Sequence, residues 1–60
     1  MMKMTFLFLS SDLTLGLIKV KYVVANHLFH ARVQYEHFRK DFYNECEQIN
    51  SKTVERFVLE

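Results

Sequence analysis

Apolar and polar residues alternate with a period of two in the first third of the chain. The first alternation sets Met2, Met4, Phe6 and Phe8 against Lys3, Thr5, Leu7 and Leu9, and the second sets Ile18, Val20, Tyr22 and Val24 against Lys19, Lys21 and Val23. Side chains two residues apart project from the same face of a strand. The pattern therefore predicts a β-hairpin within residues 1–24.

The turn of this hairpin is expected at Ser10 and Ser11, which would place Phe8 opposite Leu13. An extra residue at Gly16 or Leu17 would then form a β-bulge, for which glycine is suited because it adopts positive φ at little cost. With that bulge, one face of the hairpin would be apolar and the other polar. The apolar face would hold Met2, Met4, Phe6, Phe8, Leu13, Leu15, Ile18 and Val20, and the other face Lys3, Thr5, Asp12, Thr14 and Lys19.

Apolar residues in the middle of the chain are spaced by three or four, as on one side of a helix. This stripe consists of Leu28, Ala31, Tyr35, Phe38, Phe42, Cys46 and Ile49. It predicts one long amphipathic helix over residues 25–50. Together with the hairpin, it indicates an α+β fold of ββα order, with residues 1–60 as a single small domain.

The last ten residues, 51–60, carry a weaker pattern. Val54, Phe57 and Val58 fit a short amphipathic helix, whereas Val54, Arg56 and Val58 fit a third strand about equally poorly. We favour a short tail helix over residues 51–60.

An all-α fold is the alternative, because the helical spacing extends back to Leu17, Val20 and Val24. In that case two long helices would form a dimer along the whole stripe. Strands are favoured before residue 25 by the β-branched residues there, since these are enriched in strands, and by Gly16, which costs about 1 kcal/mol inside a helix.

Composition points to a partner chain. Half of the 60 residues are apolar, with six Phe and three Tyr, and the lone Cys46 has no second cysteine to pair with. A core of this size rarely supplies more than roughly 3–5 kcal/mol, and small domains often gain the remainder by oligomerising. We therefore expect a homodimer whose seam is formed by the helix residues Leu28, Tyr35, Phe38 and Phe42.

Catalytic motifs do not emerge from the sequence. It contains no Cys-x-x-Cys pair, glycine-rich phosphate loop or Gly-x-Ser-x-Gly turn, so we predict neither an enzyme nor a cofactor. His27 and His30 are close enough on a helix to share a metal ion, but His37 lies too far along to join them, and we predict surface histidines without a metal. Cys46 lies in the apolar stripe, and we expect it to be a buried core thiol.

The function that best fits these features is a non-enzymatic protein-binding module. Phe29, Tyr43, Arg32 and Arg39 are the expected contact residues, because Phe, Tyr and Arg are enriched at the centres of interfaces. Residues with AT-rich codons outnumber Gly, Ala, Arg and Pro, which indicates a gene from an AT-rich genome, such as that of a low-GC bacterium or its phage. A phage- or mobile-element-encoded inhibitor or regulator of a host protein is the specific version of this hypothesis.

A homodimeric nucleic-acid-binding regulator is the alternative function. Its phosphate contacts would be Lys3, Lys19 and Lys21 on the open face of the hairpin. Eight basic and seven acidic residues nearly cancel, which argues against a basic field over the whole molecule. No uncharged stretch approaches the roughly 20 apolar residues of a membrane span, and a lone cysteine fits a reducing compartment, so we expect a cytoplasmic protein.

Overall fold

The computed structural model describes residues 3–46 and 53–60. Strand β1 spans Met4–Asp12, β2 spans Leu17–Ala25, helix α1 spans Leu28–Cys46 and β3 spans Thr53–Leu59. The strands form an antiparallel sheet in the order β2-β1-β3, with the longest-range pairing between β1 and β3. The α+β class and the ββα order are confirmed, and the all-α alternative is wrong because Leu17–Ala25 is a strand.

The hairpin differs from the prediction in its turn and in its register. Strands β1 and β2 pair without a bulge over nine consecutive positions, from Met4 opposite Ala25 to Asp12 opposite Leu17. The turn is therefore formed by residues 13–16 and not by the two serines. As a result, Phe8 lies opposite Lys21, and the side chains of Ile18 and Val20 project from the face opposite to that of Phe8.

Two local features place the turn at residues 13–16. The Asp12 carboxylate accepts a hydrogen bond of 3.0 Å from the backbone N–H of Leu15, as in Asx-type turns. Gly16 then closes the turn with φ of 68°, a left-handed conformation that side chains disfavour. The conformational freedom expected of Gly16 is thus used in the turn itself and not in a bulge.

Residues 53–59 form a third strand, so the predicted tail helix is wrong. Strand β3 pairs with β1 from Phe6 opposite Leu59 to Asp12 opposite Thr53. Phe57 stacks on Phe6 and Phe8, with ring centroids 5.2 and 5.5 Å away. These contacts join residues about 50 positions apart in the chain, which a local pattern does not reveal.

The core lies between the sheet and α1, and Phe8 is at its centre. Its ring is fully buried and lies 5.2 Å from Tyr35 and 5.6 Å from Phe38, both in edge-on geometry. Aromatic pairs at these distances add to the free energy gained by burial alone. We call the sheet face that packs against α1 the inner face, and its opposite the outer face.

Helix α1 presents most of the predicted stripe to the inner face. Its buried residues are Ala31, Tyr35, Phe38, Phe42 and Cys46. The helix begins three residues later than predicted, because Ala25 belongs to β2. Its predicted end at residue 50, Ile49 of the stripe and Met2 of the hairpin lie outside the described residues.

Replacement of Gly16 by alanine is expected to destabilise the fold by about 1 kcal/mol, the cost of a left-handed conformation for an L-residue. Among the described residues, no atom lies within 4 Å of an added Cβ, so the loss would come from the backbone alone. Chemical denaturation at fixed protein concentration measures the change. Thr14→Ala, at an exposed position of the same turn, should change stability by less than about 0.5 kcal/mol, and an equal loss in both variants would contradict this account of the turn.

Candidate functional site

The outer face of the sheet is mainly apolar. Strand residues on this face alternate with those that face α1, and the apolar ones are Leu7, Leu9, Ile18, Val20, Tyr22, Val24, Val54 and Val58. The rest are Thr5, Ser11 and Arg56. Among the described strand residues, Arg56 is thus the one charged side chain of the outer face.

The apolar residues of the outer face form rows across the three strands. Leu7 lies between Tyr22 and Val58, and Leu9 lies between Val20 and Arg56. Ser11 lies between Ile18 and Val54 in the row nearest the turn. The apolar side chains are therefore neighbours in one continuous surface.

This surface is exposed to solvent within the described chain. Ile18 is 69% exposed, Tyr22 64% and Val24 59%, while Leu7 and Leu9 on the central strand are half-buried by their neighbours. An antiparallel sheet with one face in water usually places polar residues on that face. Contiguous exposed apolar patches larger than a few hundred Å² are uncommon on monomers and mark interaction sites.

Polar residues that would suit the outer face lie instead on the inner face. Ser10 is fully buried between Lys19 and Glu55, and Asp12 is 1% exposed. The Asp12 carboxylate also accepts a hydrogen bond of 3.1 Å from the Thr53 hydroxyl. The half of the inner face near the turn is therefore polar, which makes the apolar character of the outer face more unusual.

The predicted basic patch is not on the open face. Lys19 and Lys21 project from the inner side of the edge strand β2, beside α1, and the Lys19 ammonium forms a 3.0 Å ion pair with Glu45. Both lysines line a surface pocket of about 320 Å³. Its other lining residues are Gln34, His37, Phe38 and Asp41. Lys3 is exposed just before β1, separate from this pocket.

Two of the four predicted partner-binding residues are engaged within the chain. The Arg39 guanidinium donates hydrogen bonds to Glu55 at 3.0 Å, to Glu36 at 3.0 and 3.2 Å and to the Tyr43 hydroxyl at 2.6 Å. Tyr43 in turn donates to the Glu55 carboxylate. This cluster fixes the helix to the inner side of β3.

The other two predicted partner-binding residues are more accessible. Phe29 is 72% exposed near the start of α1. Arg32 is also exposed, with its guanidinium 5.4 Å from the centre of the Phe57 ring. The structure does not bring Phe29 together with the Arg39 and Tyr43 cluster into one surface, since they lie more than two helical turns apart.

The predicted dimer seam is largely inside the chain. Tyr35, Phe38 and Phe42 are at most 9% exposed, because they pack on the inner face of the sheet, and Leu28 alone of the four stays accessible at 51%. The helix stripe is thus used for the core of one chain and is not free to contact a second chain. Of the twelve large apolar residues that are exposed in the described part of the chain, six instead lie together on the outer face.

Metal-ligating and nucleophilic side chains are dispersed. The rings of His27 and His30 lie 5.4 Å apart, but residues 3–46 and 53–60 contain no group of three potential ligands. Cys46 is buried, as predicted. Burial raises the pKa of its thiol, and the charges of Asp12 and Glu45 raise it further, so the thiol is a poor nucleophile.

Comparison with known proteins finds no match to any family model, any curated protein or any solved structure. Within the described part of the chain, no helix has both the length and the apolarity that crossing a lipid bilayer requires.

The Glu55 carboxylate should make stability depend on pH. Burial by itself raises its pKa, but the hydrogen bonds from Tyr43 and Arg39 outweigh this effect and hold the pKa below the ordinary 4.5. The carboxylate therefore stabilises the fold above pH 4.5, and this stabilisation is lost as pH falls through the lowered pKa.

Glu55→Gln should consequently lose up to about 1 kcal/mol near pH 7, and the difference from the parent chain should shrink as pH falls below 4.5. Urea denaturation at fixed protein concentration across this range measures both effects. Glu36→Gln removes the more exposed of the two carboxylates that bind Arg39 and should cost less. A constant difference between Glu55→Gln and the parent at all pH values would contradict the assignment.

Proposed function

We propose that this chain is a non-enzymatic protein-binding module that binds through the outer face of its sheet. The observation that carries the proposal is the continuous apolar surface on that face, with Arg56 as the one charged strand residue among those described. A surface of this composition fits a flat apolar surface of another protein, because each contact would then exclude water from apolar groups on both sides.

The surface is large enough to contribute substantially to association. From their exposed fractions, the six outer-face residues that are 40% exposed or more present on the order of 600 Å². At about 25 cal/mol per Å², covering that area would contribute roughly 15 kcal/mol before the costs of association. Those costs are on the order of 4–15 kcal/mol, so a stable contact needs most of the surface and good packing.

A nucleic-acid function has less support. Phosphate contacts depend on free cationic groups. Lys19 is paired with Glu45, and Lys19 and Lys21 share their pocket with the carboxylate of Asp41. The outer face offers a single guanidinium, that of Arg56, amid apolar side chains. Protein binding through the outer face is therefore the better interpretation.

Photocrosslinking in the cells that express the full chain tests this proposal. A benzophenone amino acid in place of Tyr22 would lie on the outer face, and the same amino acid in place of Lys40 would lie on the exposed side of α1. We expect protein adducts from position 22 and few from position 40. A lipid or nucleic-acid adduct at position 22, no adduct there, or equal protein adducts from both positions would contradict the proposal.

A further inference from the structure

We infer that the occupant of the outer face is a second copy of this chain, packed sheet to sheet with the two helices on the outside. The inference rests on the proposed function, since it names the partner of the same surface. Two sheets that pack face to face lie about 10 Å apart and interdigitate their side chains. The described chain carries half of such a sandwich, with α1 on one side of its sheet.

Area supports a second copy as the occupant. Each copy would bury on the order of 600 Å², so the pair would bury about 1,200 Å², the lower end of the range for specific, stable interfaces. Interfaces between identical chains are also more apolar than those between independent partners. A second copy has the same flat, apolar surface, and it is present wherever the chain is made.

The position of the charged Arg56 side chain favours one of two symmetric arrangements of the copies. A two-fold axis across the strands would place β3 over β3 of the partner, and if it passed through the row of Leu9 it would bring two Arg56 side chains together. An axis along β1 places β2 over β3 of the partner instead, so that Arg56 lies over Val20. Since β3 is an edge strand, the guanidinium can then reach solvent while its methylene groups cover the valine.

Side-chain size agrees with the axis along β1. In that arrangement Tyr22 of one copy lies over Val58 of the other, and Ile18 lies over Val54, so that a large residue meets a smaller one on both sides. Leu9 on the central strand would meet its own counterpart at the axis. Alternation of large and small side chains allows two faces to interdigitate without voids.

The mass of the full chain in solution is the first measurement. Sedimentation equilibrium at about 20–200 μM should give twice 7.3 kDa for the parent chain. Tyr22→Lys should weaken the dimer at least about 10-fold, because it removes the aromatic ring that covers Val58 of the other copy. Phe29→Lys is the matched control, since it replaces an aromatic residue of similar exposure on the helix. That variant should remain dimeric.

A mixture of two variants tests how the two copies are oriented. It also provides a second test of the inference beside the single variants. Val58→Glu should also weaken the dimer by itself. A 1:1 mixture of the Tyr22→Lys and Val58→Glu chains should recover a heterodimer, because the new lysine and glutamate would face each other across the interface. Failure of the mixture to recover a dimer, with both chains folded by circular dichroism, would overturn the arrangement along β1.

The mass of the parent chain in solution and its crosslinks in cells together distinguish this inference from the proposed function. A monomer throughout the concentration range would overturn the homodimer, as would dissociation by Phe29→Lys in place of Tyr22→Lys. If position 22 nevertheless crosslinks to a different protein in cells, the protein-binding function stands without the second copy. If the chain is monomeric and position 22 yields no protein adduct, both are overturned.

Discussion

A three-stranded sheet has two faces, and the helix of the described chain covers one of them. The whole arrangement follows from this constraint. Packing of α1 on Phe8 uses the aromatic stripe of the helix within a single chain, which leaves Tyr35 and Phe38 unavailable to any partner. Six of the exposed large apolar residues of the described chain then lie side by side on the outer face. Part of the chain's apolar excess is therefore exposed on the sheet, and not along a seam of the helix as the sequence predicts.

The elements that could be predicted from sequence are those whose patterns are local and long. Helix α1 shows its buried side over about four turns, from Ala31 to Cys46, and the alternation in β1 and β2 identifies both strands. Such local patterns do not determine the register between β1 and β2, or whether residues 53–59 form a strand. The true turn depends on a carboxylate of Asp12 that binds the backbone of Leu15, and β3 depends on Phe57 meeting Phe8, a contact across almost the entire chain.

The candidate site was missed because of that register. A turn at the two serines puts Ile18 and Val20 on the same face as Phe8, and the prediction therefore counts them as core residues. One signal could have revealed the outer face: Leu7 and Leu9 alternate with Phe6 and Phe8, so β1 is apolar on both sides. A strand of that kind is typical of the centre of a sheet covered on both faces. The cluster around Arg39 had no comparable signal, because Glu55 reaches it only through the pairing of β3 with β1.

The central claim, that a second copy covers the outer face, is tested most directly by nuclear Overhauser contacts between chains. In a mixture of isotope-labelled and unlabelled chains, filtered spectra report only contacts that cross the interface. We expect such contacts from the methyl groups of Leu9, Val20 and Val54, and none from Val23 and Ala31, which face the core of one chain. Intermolecular contacts confined to Leu28 and Val33 on the helix, or none from the outer face at a concentration of about 1 mM, would contradict the account.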